Sequence, residues 1–270
     1  MYKFGKRSKD LSKKNYSNLI GVFDSGIGGL TLLNQLTEVL PHENFAYYAD
    51  SRHVPYSFKS SSEILKYVEE AVLFLRANDA KAVVLACNTA TNVAIEYLRE
   101  KYDFPITAIQ PAVKVAADFS EDHKRVLVAA TPVTLEAKRY QNLIKTLGIE
   151  NRITNIALPS LVEYAEQGIF GGAELETYLK QKIVEFDTSE YHFMVLGCTH
   201  FTFYEGLLER LFTNLKVVDG NVGTTKQVQR ILQKEELLKV EGSGYIKFYE
   251  SGEEVKDTSK YIRLLIKLRA

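Results

Sequence analysis

The sequence predicts an open α/β fold made of two related halves, each a mostly parallel sheet covered by helices. Three observations predict it. From residue 19 onward, short apolar runs alternate with longer amphipathic stretches, the order strand, helix, strand, helix. The apolar runs lack polar alternation, as parallel strands buried on both faces require. One local pattern also occurs twice: an apolar run, a cysteine, small polar residues and an amphipathic stretch, first in VVLACNTATNVAIEYL and again in MVLGCTHFTFYEGLLERL.

Residues 1–18 carry six basic side chains against one acid and lack the apolar segment of an export signal, so they read as a solvated tail whose deletion leaves folding and activity nearly unchanged. Strands are expected at LIGVF (19–23), FAYYA (45–49), AVVLA (82–86), RVLVA (125–129), FMVLG (193–197) and KVVD (216–219). The first runs through a glycine-rich turn, DSGIGG, into a helix. Residues 62–78 form a helix because Ile64, Leu65, Val68, Val72 and Leu75 share one face. Residues 131–148 form another, with Thr131 as the N-cap, Pro132 in the first helical position and Gly148 as terminator. The polar, proline-containing stretch 49–61 is a loop.

The bulk properties exclude several classes. With 34 basic and 34 acidic residues in 270, nothing global attracts phosphate, and nucleic-acid binding is not expected. No apolar run approaches the roughly 20 residues that span a bilayer. Two cysteines, Cys87 and Cys198, are too few for a disulfide framework and point to a reducing cytoplasm.

Either cysteine alone reads as a small core residue. A matched pair is different, because each lies at a strand's carboxyl end, where open α/β sheets bind ligands, and at a helix N-terminus, which lowers a thiol's pKa from about 8.5. Two facing halves bring both to one cleft. Cys198 and His200 are two possible metal ligands without a zinc cluster around them, and a Cys198–His200 nucleophile leaves Cys87 unexplained. Inversion at Cα of an amino acid needs two such groups: a base takes the proton from one face and an acid returns one to the other. Asp24 and Ser25 then read as contacts to a zwitterion, with Gly26, Gly28 and Gly29 letting the backbone approach its carboxylate. Tyr56 is either a binding group or a cover for the strand edge. His42, His53 and His123 read as surface residues, and His192 as a strand start.

DSGIGG (24–29), VPYS (54–57), ACNTAT (86–91), ATPVT (130–134) and GCTH (197–200) together resemble the glutamate racemases of the aspartate/glutamate racemase superfamily, in order and spacing from about 19 to about 235. The resemblance implies conversion of L-glutamate to D-glutamate for peptidoglycan, with no cofactor and no metal, by two domains related by a pseudo-twofold axis with the active site between them, and commonly as a homodimer. It implies a first domain of 19–111 plus 212–270 and a second of 112–211. It implies Cys87 and Cys198 as the catalytic thiols, Cys198 acting on L-glutamate and Cys87 on D-glutamate, with Asp24, Glu166 and His200 assisting. Substrate is held by Asp24, Ser25, Pro55, Tyr56, Ser57, Asn88, Thr89, Thr131, Thr199 and His200, with Thr134 and Thr91 nearby. The chain departs from the family pattern at Ser57 (usually glycine), at Phe201-Thr202 (usually Tyr-Pro), at Gln110 (commonly acidic) and in its basic tail. An aspartate racemase or other superfamily isomerase, or a binding protein that keeps the cleft, are the alternatives; racemisation assays on both glutamate and aspartate separate them.

Overall fold

The structure, a computed structural model, describes residues 19–120 and 124–269; the basic tail and His123 lie outside the described residues. The first half runs β1 (Leu19–Asp24), α1 (Leu30–Val39), β2 (Asn44–Ala49), α2 (Ser61–Ala77), β3 (Ala80–Leu85), α3 (Asn88–Lys101) and β4 (Ile106–Ala108). Then follow α4 (Val113–Phe119), β5 (Arg125–Ala130), α5 (Pro132–Glu136), α6 (Lys138–Leu147), β6 (Ile153–Ala157), α7 (Ser160–Glu166), α8 (Ala173–Ile183), β7 (Tyr191–Leu196), α9 (Glu205–Leu211) and β8 (Lys216–Val218). The chain closes with α10 (Asn221–Lys234), β9 (Ile246–Glu250), β10 (Glu253–Glu254) and α11 (Ser259–Arg269).

Two sheets result, ordered β10-β9-β2-β1-β3-β4 and β6-β5-β7-β8. All pairings are parallel except β9 with β10. The run β2-β1-β3-β4 has the same connectivity as β6-β5-β7-β8, so the second half repeats the first. The repeat reaches detail: the β1–β3 register slips at Leu19/Ile20 and the β5–β7 register slips at Arg125/Val126. Strands β1, β2 and β3 are buried along their whole length, which is why their sequences are continuously apolar.

Helix α2 forms as its sequence predicts. Ser60 and Glu63 make a capping box, and Ile64, Val68, Val72 and Leu75 are buried on one face. The expected helix at 131–148 is two helices instead. Ala137 is extended (φ −63°, ψ 130°) and divides α5 from α6. Both pieces lie against α3 of the other half, and α6 buries Tyr140 and Ile144 on the second sheet. Gly148 ends α6 at φ +65° as expected.

The return to the first sheet also falls later than residue 212, since β8 pairs with β7. The crossings between the halves touch: a Cβ on Gly220 would stand 2.2 Å from the Gln110 carbonyl oxygen. Beneath the first sheet, the fully buried Lys81 ammonium is 2.6 Å from Glu43 Oε2 and donates to the Leu237 carbonyl at 2.7 Å. Glu43 Oε1 accepts the Lys239 N–H at 2.8 Å, so this ion pair anchors the segment that leads from α10 to β9. No described helix is long and apolar enough to cross a membrane.

Candidate active site

Cys87 follows the end of β3 by two residues and caps α3. Its Sγ accepts the Ala90 N–H at 3.5 Å and lies 3.5 Å from Ser25 Oγ at the end of β1. The helix N-terminus was expected to acidify this thiol. Burial instead pushes it up to about 12, with the Asp24 charge adding to the effect and the Ala90 and Ser25 contacts only partly opposing it.

Cys198 follows the end of β7 by the same two residues, but it opens a short 3₁₀ segment, Thr199–Tyr204, rather than an α-helix. Its Sγ is 3.9 Å from His200 Nδ1. His200 Nε2 in turn is 2.7 Å from Glu166 Oε1, and the same oxygen accepts the Ile27 N–H at 2.8 Å. Burial alone would lower the His200 pKa, yet its contacts with Cys198 and Glu166, and the charge of Asp24, hold it well above the usual histidine range. For Glu166 burial acts upward, and two contacts of its own, one with His200 and one with the Ile27 N–H, overcome it, leaving the carboxyl below its ordinary value.

These shifts give the pair a pH window. The raised histidine contributes stability in full below its ordinary 6.5, and this is lost as pH rises through its higher folded value. The lowered carboxylate contributes in full above its ordinary 4.5, and this is lost as pH falls through its lower folded value. The melting-temperature advantage of wild type over Glu166→Gln is therefore largest between those two ordinary values and shrinks on both sides. A difference that is flat with pH would contradict the ion pair.

The halves meet through polar side chains. Thr199 Oγ1 donates to Asp24 Oδ2 at 3.0 Å, and the Gly26 N–H donates to Asp24 Oδ1 at 2.9 Å. Burial raises the Asp24 carboxyl above its usual range, with the His200 charge and these two donors opposing. On the other side, Thr89 Oγ1 lies 3.2 Å from Thr131 Oγ1 and 3.3 Å from Thr134 Oγ1. Thr131 precedes α5 as expected but its hydroxyl makes no capping bond; it faces Thr89 instead.

The glycines of DSGIGG leave room for side chains of the other half. A Cβ on Gly26 would stand 1.8 Å from Glu166 Oε1, and one on Gly28 would stand 2.4 Å from both His200 Nδ1 and Thr199 Oγ1. The backbone of this turn thus approaches the Glu166 carboxylate, from the other half.

The remaining sequence-predicted residues divide. Asn88 is buried in the first position of α3. Thr91 turns back to the Leu85 carbonyl at 3.4 Å, inside its own half. Pro55 precedes a short 3₁₀ turn, Tyr56–Phe58, that carries a half-buried Ser57. Tyr56 is buried, and its hydroxyl donates to Asp50 Oδ2 at 2.6 Å. His53 is not a plain surface residue: it is half-buried, 2.8 Å from Asp50 Oδ1, and stacked on Tyr67. His42 is exposed on the Gly242 carbonyl, and His192 is the second residue of β7. Two buried groups near the site escaped sequence reasoning. Asp50 ends the stretch after β2, as Asp24 ends β1, and that parallel was the available signal. Tyr47, whose hydroxyl donates to the Gly26 carbonyl at 2.7 Å, lay inside an apolar run and carried none. Among the described residues, no three His, Cys, Asp or Glu side chains are grouped as metal ligands.

The family model for Asp/Glu/Hydantoin racemase matches residues 30–228. Glutamate racemase 2 of Bacillus subtilis (strain 168) is 44% identical over 91% of this chain and 94% of its own. Glutamate racemase of Campylobacter concisus (strain 13826) is 44% identical over 93% of this chain and 98% of its own. Among solved structures, Francisella tularensis glutamate racemase in complex with D-glutamate has a TM-score of 0.77 at 26% identity, covering 94% of each chain. Escherichia coli glutamate racemase in complex with L-glutamate and the activator UDP-MurNAc-Ala has a TM-score of 0.78 at 26% identity, covering 93% of this chain and 95% of its own. The chain belongs to the Asp/Glu/hydantoin racemase family. Within that family, each of these four relatives is a glutamate racemase.

Proposed function

We propose that this protein interconverts L- and D-glutamate with two thiols as acid and base, supplying D-glutamate for peptidoglycan in the cytoplasm, and that it works as a homodimer. The observation that carries the reading is the pair of cysteines at equivalent strand ends, each with a different polar set behind it. Cys198 faces the His200–Glu166 pair; Cys87, buried beside Asp24, is held in its thiol form. With L-glutamate, the Cys198 thiolate takes the Cα proton while the Cys87 thiol delivers one to the opposite face. With D-glutamate the roles exchange. The His200 imidazolium balances negative charge on the Cys198 sulfur, and Asp24 keeps Cys87 in the protonated form that can serve as the acid. Ser25, Asn88, Thr89, Thr131 and Thr199 supply hydrogen-bonding groups to the substrate's ammonium and carboxylates, and Pro55, Tyr56 and Ser57 form a wall beside the first thiol. The chemistry uses protein groups alone.

Initial rates with both enantiomers of glutamate and of aspartate, without added cofactor, test the reading. Glutamate turns over faster than aspartate; because one methylene changes binding by only about 1–3 kcal/mol, some aspartate turnover accompanies it. Faster aspartate turnover would make this an aspartate racemase, and binding of glutamate without turnover would make it a binding protein.

A further inference from the structure

We infer that Asp50 is a positioning residue of this site, one that fixes Tyr56 and the end of β1 together beside Cys87. The inference rests on the racemase reading above and adds a residue to it. Asp50 is only 3% exposed, and its carboxylate is fully engaged. Oδ2 accepts the Tyr56 hydroxyl at 2.6 Å; Oδ1 lies 2.8 Å from His53 Nδ1 and accepts the Ser251 hydroxyl at 3.2 Å. Its own N–H donates to the Asp24 carbonyl at 3.0 Å. One residue therefore ties Tyr56 to the main chain of Asp24, which Ser25 follows.

The partners of Asp50 are themselves fixed. The His53 ring stacks on Tyr67 with centroids 3.8 Å apart and planes 8° from parallel. Ser251, in the turn between β9 and β10, adopts φ +45° and also accepts the Arg52 N–H at 3.0 Å. The C-terminal hairpin, beyond the residues 30–228 that the family model matches, thus reaches the site through Asp50. Tyr56 remains a phenol, since burial and then the Asp50 charge hold its pKa far above the usual range, with Cys87 and Asp24 adding to this. Its hydroxyl is spent on Asp50. What Tyr56 offers to substrate is its ring and the backbone that follows, in whatever place Asp50 holds them.

The test is a double-mutant cycle in the full chain with Asp50→Asn, Tyr56→Phe and the double variant, measuring kcat and KM for L-glutamate. A hydrogen bond to a charged group is strong enough that each single change raises KM roughly 10-fold, with a smaller change in kcat. The double variant is expected to be no worse than the worse single, because the shared bond is lost only once. A general loss of stability does not produce that non-additivity, and melting curves establish that each variant is folded at the assay temperature. If Asp50→Asn does not fold, Ser251→Ala replaces it in the cycle, with a smaller KM rise and the same non-additivity expected. Effects that multiply, or a wild-type KM in Asp50→Asn, overturn the assignment while leaving the racemase reading intact. A wild-type protein without glutamate racemisation overturns both.

Discussion

Replacing either Cys87 or Cys198 with serine lowers glutamate racemisation by about 10²–10⁴-fold, the contribution of a positioned acid or base. Each thiol is needed in every turnover, once as base in one direction and once as acid in the other. A serine hydroxyl fits either place but is a far weaker acid, and it cannot supply a ready anion. The environment sharpens this at Cys87, where burial already pushes the thiol up to about 12 and a hydroxyl would be held neutral still more firmly. Because enantiomers have equal free energies, kcat/KM must fall equally in the two directions in both variants. Initial rates from L- and from D-glutamate measure this. A near-normal rate in either variant would return that cysteine to the core.

Replacing Lys81 with methionine costs about 3–5 kcal/mol of folding stability, the usual effect of stranding one member of a buried ion pair. Lys81 and Glu43 have side chains 2% and 0% exposed, so water cannot take the place of the lost ammonium. The Leu237 carbonyl loses its Lys81 donor as well, so the segment running toward β9 loosens along with the pair. Replacing both partners, Lys81→Met with Glu43→Leu, recovers part of the loss by removing the stranded charge. The recovery is incomplete because the Leu237 carbonyl and the Lys239 N–H each lose a side-chain partner. Urea denaturation midpoints of the three proteins check the order; a Lys81→Met variant as stable as wild type would show that the pair contributes nothing.

What could be read from the sequence depended on whether burial was uniform. Strands β1, β2, β3, β5 and β7 are buried almost throughout, and their unbroken apolar runs announced them. Strand β6 is half-exposed at an edge and β9 buries only Phe248 and Tyr249, so ITNIA and IKFYE carried no comparable signal. The repeat around the cysteines was legible because both copies keep the two-residue step from strand end to sulfur. The break at Ala137 was not, since Thr131, Pro132 and Gly148 are good signals for the ends of a helix and say nothing of its middle. Contacts across the halves were the least legible. Glycines at 26 and 28 are needed to leave room for Glu166, Thr199 and His200, which lie more than a hundred residues away in the chain. The direction of the Cys87 shift also depends on burial, which a helix N-terminus in sequence does not reveal.

Racemisation of L-glutamate in heavy water tests the two-thiol account most directly. If Cys198 removes the proton and Cys87 returns another from a thiol equilibrated with solvent, the D-glutamate formed carries deuterium at Cα from the first turnover. The unreacted L-glutamate stays largely unlabelled in early turnover. D-glutamate that keeps its protium, or L-glutamate that gains deuterium as fast as product forms, would instead mean that a single base serves both faces and would contradict the mechanism.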